Sequence, residues 1–410
     1  MKRFSNPFKA LKNRNFLIYW VGLSASQTGS WMQNIAQPWL ALLVTNDPAL
    51  VGVVSAAQFA PILLFSLFLG PLIDKADKKR ILFFTQGGLC AVSLAFACAV
   101  IFDFASYPVI LSLALATGIF NSLDSPCRHS FIHELVGERE LIPNAVALNS
   151  MSIAVSRVLG PALAGLVMAE FGIAECFLAN TFSFVAIFAS LIFIRPTPLR
   201  RERGGAGLLD SVSAGLEYIR SRELLLSPLI VLLIAATLIP NYSVTVSALV
   251  KFELNLSERD FGYLMSSLGV GAFFGALWTA FRSQASYTAV RVAPFLAAAS
   301  LACVGLARDF WSVAVLLALT SFIFITAVSS INSLLQLRSR GDYRGRVMSV
   351  FSLFFLGSTP IGASLAGFIS KEFGAGRSFM ICGASTAILL AIWWAWRYFK
   401  FNSNLNPKNR

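Results

Sequence analysis

Apolar residues run in long blocks along this chain, and a short polar break closes each block. In order they cover residues 16–44, 49–73, 81–102, 107–123, 144–170, 174–194, 225–250, 260–281, 289–306, 311–337, 347–370 and 377–396. A helix rises ~1.5 Å per residue, and ~17–25 apolar residues cross the hydrocarbon core of a bilayer. The pattern therefore predicts twelve membrane-spanning helices and an all-α integral membrane protein. The first block follows a basic segment, Lys2 to Arg14, and continues past any cleavage position. It reads as a retained span and not as a signal peptide. Composition agrees, with 56% hydrophobic and 13% charged residues and a mean hydropathy of +0.70 over 410 residues.

The longest polar break, 195–224, follows the sixth block. It divides the chain into an N-terminal six-helix bundle (1–194), a linker, a C-terminal six-helix bundle (225–400) and a tail (401–410). In the linker Leu209, Val212, Leu216 and Ile219 share one helical face, which predicts a short helix lying on the membrane surface. The halves also repeat. Residues 163–172 read LAGLVMAEFG and residues 365–374 read LAGFISKEFG, identical at six of ten positions; NSL at 121–123 recurs at 332–334. Two parallel repeats imply a pseudo-twofold axis along the membrane normal, with the substrate site near the midplane between the halves.

A net charge of +13 invites a nucleic-acid partner, but its distribution argues otherwise. With both termini on one side of the twelve spans, that side holds 27 of the 33 Lys and Arg. This is the positive-inside bias, so both termini and the linker are expected in the cytosol, their basic residues against anionic lipid. The cysteines, Cys90, Cys98, Cys127, Cys176, Cys303 and Cys382, include no pair at metal-ligand spacing. His129 and His133 stand at i and i+4 beside Glu134, read here as a solvated loop after the fourth span. No metal or cofactor is expected. The spans hold no deep carboxylate pair and no Ser–His arrangement, which argues against an enzyme. The absence of a phosphate-binding glycine loop argues against direct ATP driving.

One charge sits deep. Arg157 lies thirteen residues from Asn144 and thirteen from Glu170, roughly 20 Å from either end of its span. An ionisable residue there is a functional candidate. It lines a cavity and holds an anionic or catechol-like substrate, or it is satisfied by carbonyls and hydroxyls and shapes the bundle. No Asp or Glu reads as comparably deep, Asp74 and Asp124 falling at the inner rim. Span one carries Ser24, Gln27, Trp31 and Asn34 on one face, and span seven carries Asn241, Tyr242 and Thr245 beside Pro240. These are the candidate substrate contacts, with interhelical hydrogen bonding as the alternative role.

The loop after span two reads GPLIDKADKKRIL (70–82). It resembles the signature loop of the major facilitator superfamily, matching at Gly70, Leu72, Asp74, Lys75, Lys78 and Lys79, with Asp77 where the family has its second glycine. The resemblance implies that Asp74 stabilises an outward-open state, with Arg344 and Arg346 the nearest candidate partners. SRVLGPALAG (156–165) resembles the superfamily's antiporter motif of span five, with small residues in place of two of its glycines. That motif implies proton-coupled export. Locally, Pro161 deprives the Arg157 carbonyl of its helical partner and should bend the helix, while Gly160 admits a close neighbour. Longer stretches, PNAVALNSMSIAVSRVLGPALAG among them, are similar to the branch that contains bacterial enterobactin exporters and related secretion carriers.

The expected protein is thus a monomeric secondary transporter of a bacterial inner membrane. It would export a siderophore-like or drug-like small molecule by alternating access and proton antiport. The alternatives are uptake of a nutrient anion and a receptor that transports nothing. Gly70, Asp74, Lys75, Asp124, Arg128, Gly160, Pro161, Arg344 and Arg346 are the gating candidates, and Asp74 and Asp124 the candidates for the proton.

Overall fold

A computed structural model describes residues 8–136, 138–194, 216–281 and 287–405, apart from the side chains of 66–75, 133, 139, 341–342 and 399–405. Among the described residues every regular element is a helix. Six precede the linker: α1 (Arg14–Thr45), α2 (Pro48–Lys75), α3 (Lys78–Ile101), α4 (Tyr107–Val136), α5 (Ile142–Glu170) and α6 (Ile173–Phe193). Eight follow: α7 (Glu223–Leu238), α8 (Tyr242–Ala248), α9 (Glu258–Phe281), α10 (Tyr287–Val304), α11 (Phe310–Arg338), α12 (Gly341–Gly357), α13 (Thr359–Phe373) and α14 (Ala375–Leu405). Two crossings are broken helices, α7 with α8 and α12 with α13, so fourteen helices make twelve crossings among the described residues.

Local chemistry sets the breaks. Pro240 separates α7 from α8, and Pro360 stands in the first turn of α13, where its missing N–H costs nothing. Asp77 does not loosen the α2–α3 turn. Its Oδ1 accepts from the backbone N–H groups of Lys79 (3.0 Å) and Arg80 (3.3 Å) and so caps α3. Asn13 and Asp309 cap α1 and α11 in the same way. Helix α5 continues through Pro161 as one element from Ile142 to Glu170.

Eleven spans among the described residues are apolar enough to cross a membrane. The twelfth, α1, is 32 residues long but carries Ser24, Gln27, Ser30, Gln33, Asn34 and Gln37, a polar stripe that faces protein and not lipid. The fourth span is longer than its hydropathy indicates. Helix α4 continues to Val136, so residue 129 and the buried Asp124 lie on a helix and not in a loop or at a rim. Of the expected linker helix, residues 195–215 fall outside the described residues. Residues 216–220 are helical, and Tyr218 stacks on Tyr343 with centroids 4.3 Å apart.

The side of the molecule with the α2–α3 and α4–α5 turns is called here the terminal face, and the opposite side the far face. On the far face the two halves close on each other. A Cβ on Gly262 would lie 2.5 Å from Gly165 Cα, and one on Gly367 would lie 3.0 Å from Gly52 Cα. Only glycine permits such helix approach between α5 and α9 and between α2 and α13. Trp39 stacks on Phe261 at 5.0 Å. Lys371 pairs with Asp47 (2.6 Å), Arg259 pairs with Glu170, and Lys251 donates to the Leu42 carbonyl (3.0 Å) and to Asn46 Oδ1 (2.7 Å). Each of these contacts joins one half to the other.

Candidate functional site

Below that seal, between the halves, lies a cavity of about 500 Å³. Its wall runs from Pro38 and Ala363 near the closed end to Arg128 and His129, in the last third of α4 toward the terminal face. Arg157 lies between these limits. The cavity is therefore shut on the far side and reaches toward the terminal side.

Of the expected substrate contacts, Gln27, Trp31, Asn34, Arg157, Asn241 and Tyr242 all line this cavity. The Arg157 guanidinium stacks over the Trp31 ring, 5.0 Å from its centroid. Among the described residues no carboxylate pairs with it. A cation–π contact contributes ~0.5–2 kcal/mol, far less than the several kcal/mol that desolvating an ion costs. The cation is oriented but not neutralised. Asn241 is fixed by donating from Nδ2 to the Thr237 carbonyl (2.8 Å). Its Oδ1 and the Tyr242 hydroxyl are buried without a hydrogen-bond partner among the described residues.

Two polar residues take the bundle-building role instead. Thr245 is buried outside the cavity wall, and its hydroxyl donates to the Asn241 carbonyl (3.1 Å). Ser24 shares a hydrogen bond with Ser152 (2.7 Å), joining α1 to α5. Gly160 serves the same seam, since a Cβ there would lie 2.4 Å from Trp31 Cβ. Pro161 lines the cavity. The Arg157 carbonyl that Pro161 leaves without a helical donor is packed by α9, where a Cβ on Gly269 would lie 2.5 Å from that oxygen.

The gating candidates divide. Gly70, Asp74 and Lys75 belong to α2, but their side chains lie outside the described residues. Arg344 is exposed, and Arg346 stacks over Tyr343 at 5.0 Å. Lys78 pairs with Glu134 (2.5 Å), and Lys79 Nζ donates to the Ile194 carbonyl (2.8 Å). These two lysines of the signature loop therefore tie α3 to α4 and to the end of α6 within one half. Asp124 pairs with Arg128 (2.6 Å), and Arg128 lines the cavity. No group of three or more potential metal ligands occurs among the described residues.

Sequence reasoning missed an amide network on the cavity wall. Gln58 of α2 donates to Asn34 Oδ1 (2.9 Å) and accepts from Gln37 (3.0 Å), and Asn180 of α6 donates to Gln33 Oε1 (2.6 Å). The available signal was a lone amide inside an otherwise apolar block, as at Gln58 and Asn180.

Comparison with known proteins completes the picture. Residues 5–410 match the profile of the transmembrane secretion effector family. A staphyloferrin A transporter of Staphylococcus aureus is 23% identical over 382 residues, covering 89% of this chain and 92% of the relative. An enterobactin exporter of Shigella boydii is 26% identical over 345 residues, covering 81% and 80%. Among solved structures, a bacterial homologue of the human lysosomal transporter Spinster, inward-facing and unoccupied, superposes with a TM-score of 0.73 at 12% identity, covering 95% of this chain and 97% of that one.

Proposed function

The chain belongs to the transmembrane secretion effector family of the major facilitator transporters, and we propose that it exports a small anionic organic molecule, siderophore-like or drug-like, by proton antiport. Membership makes it a transporter and not an enzyme. The observation that carries the anionic substrate is Arg157, a cation inside the inter-half cavity, oriented by Trp31 and without a carboxylate partner among the described residues. Guanidinium stays charged at every physiological pH, so it attracts an acidic group and cannot itself be the coupling acid. Trp31 offers its ring to an aromatic part of the same ligand.

Orientation follows from charge. Twelve spans put 27 of the 33 Lys and Arg of the sequence on the side of the termini, so both termini and the terminal face lie in the cytosol of a bacterial inner membrane. The cavity then faces the cytosol while the far face is shut, the state that loads an exporter. Residues 1–194 and 225–400 act as two bodies of a monomer and rock about the cavity to give alternating access. The similarity to a relative named as an enterobactin exporter supports outward direction. In a cysteine-free background, Ser5→Cys and Ser213→Cys should escape an impermeant thiol reagent applied to intact cells.

Inside-out vesicles with an acidic lumen test the transport reading, with 2,3-dihydroxybenzoate as the anionic probe. The intact protein should accumulate the probe and release lumenal protons. Arg157→Ala should abolish accumulation while the protein melts as before, and Arg157→Lys should keep part of it. A stable Arg157→Ala protein with unchanged flux removes Arg157 from the site. Accumulation without proton release overturns antiport, and flux only in the opposite direction favours nutrient-anion uptake.

A further inference from the structure

Arg157 and Arg128 both line the central cavity, but they are held differently. Arg157 has no carboxylate partner among the described residues; Arg128 has one with a built setting. Asp124, one turn earlier on α4, is fully buried, and its Oδ2 lies 2.6 Å from Arg128 Nε. Its Oδ1 accepts from Thr85 Oγ1 (2.8 Å) and Gln86 Nε2 (2.7 Å), both on α3. The carboxylate is thereby fixed through Oδ1, while Oδ2, which accepts no hydrogen bond among the described residues, holds the guanidinium by charge at the inner edge of its fork. The two terminal nitrogens have no partner among the described residues, and the Arg128 side chain remains 24% exposed. The pair buries its anion completely and leaves its cation partly exposed on a residue of the cavity wall.

Depth separates the two arginines. Arg128 lies eight residues from the terminal-face end of α4 and Arg157 fifteen from that end of α5, ~12 Å against ~22 Å along the helices. We propose that Arg128 is a second anion-binding station, ~10 Å nearer the terminal face than Arg157, that receives the acidic part of a substrate first. The proposal rests on the anionic-substrate reading above. Asp124 is the positioning residue of this station. By neutralising Arg128 it also makes the outer station weaker than the inner one, so an anion moves downhill toward Arg157. A ligand with two acidic groups at least ~10 Å apart would occupy both stations at once.

The sign of this coupling removes Asp124 from the proton candidates. Protonating Asp124 would strengthen the pull of Arg128 on an anion, so proton and anion would bind together. Antiport requires that each exclude the other, and its coupling acid is therefore another group.

Calorimetric titration of the purified full-length protein at neutral pH with decanedioate, a flexible dianion long enough to reach both stations, tests the station, with thermal melting as the folding check. Asp124→Asn/Arg128→Gln removes both charges and keeps amide hydrogen bonding; it should weaken binding roughly tenfold, the loss of a charge-assisted hydrogen bond. Asp124→Asn alone should tighten binding severalfold, because it leaves Arg128 uncompensated. A merely structural pair would not give opposite signs. Wild-type affinity in both folded variants, or weaker binding in Asp124→Asn, overturns the station. If the double variant does not fold, the sign of the Asp124→Asn effect decides alone. Arg157→Ala separates the two proposals: lost binding there with unchanged binding in the α4 variants sinks only the station. Absence of saturable binding in the wild type, or full binding in Arg157→Ala, sinks the anionic-substrate reading and the station with it.

Discussion

Residues 156–165 (SRVLGPALAG) and 358–367 (STPIGASLAG) hold corresponding places in the two halves and agree at five of ten positions. Their shared glycines do the same work. Gly160 lets α5 meet α1, the first span of its half, and Gly362 lets α13 meet the break in the first span of the other, where a Cβ would lie 1.9 Å from the Thr237 carbonyl. Gly165 and Gly367 make the two far-face crossings. The differences fall at the cavity. Helix α5 runs through Pro161 and carries Arg157, whereas the second copy breaks before Pro360 and carries Thr359 in the place of the arginine. Arg157 and Thr359 both line the cavity, so one half offers it a cation and the other a hydroxyl. Small residues thus decide which helices touch, while the polar residue and the proline decide what each half presents to a ligand.

Making the segments alike should have the largest effect. Arg157→Thr should lower flux of an anionic probe roughly 100-fold, the scale for removing a buried charged contact. Thr359→Ala should change it less than about threefold, as loss of one neutral hydrogen bond implies. Comparable losses in vesicle assays would mean that the site is shared evenly, against the asymmetry argued here.

Gly262→Val and Gly52→Val should come next. A Cβ on Gly52 would lie 2.5 Å from the Ala363 carbonyl, so both substitutions overpack a crossing. Overpacking costs ~1–3 kcal/mol, about 5- to 150-fold in the ratio of closed to open far face. Distances between spin labels on the far-face ends of α2 and α13 should lengthen in both variants. A shift in only one would show that the crossings are not equivalent.

Trp31→Leu should weaken probe binding about 2- to 30-fold, the range of a cation–π contact, without altering those distances.

The smallest effects belong to the far-face ion pairs. Lys371→Met and Arg259→Met should each shift the closed population less than about fivefold, since exposed pairs contribute ~0–1 kcal/mol. Partial burial would raise the Asp47 carboxyl, but the hydrogen bonds from Lys371 Nζ and the Ala49 N–H outweigh it and hold the group below the usual carboxylate range. A depressed value stabilises the closed form above the ordinary ~3.9 and is lost only as pH falls through the lower one. Acidification to ~5 should leave the label distances unchanged.

The crossings are legible in the sequence, because a bilayer admits a backbone only as continuous apolar helix and writes that demand into hydropathy. The sequence by itself determined that Arg157 lies deep, because distance along a helix is proportional to residue number. It also carried the repeat, and the repeat carries the glycines of both far-face crossings. Which polar residues face the cavity depends on how the helices pack. Hydropathy records what each residue costs in lipid and not which neighbour satisfies it. Hence α4 reads as ending before Asp124, although Thr85, Gln86 and Arg128 let that carboxylate lie buried inside the protein. Thr245 and Tyr242, three residues apart in one segment, part company because the Thr245 hydroxyl is taken by its own backbone. Trp31 meets Arg157 only because Gly160 brings α1 and α5 close enough, a contact between residues 126 positions apart that no local pattern encodes.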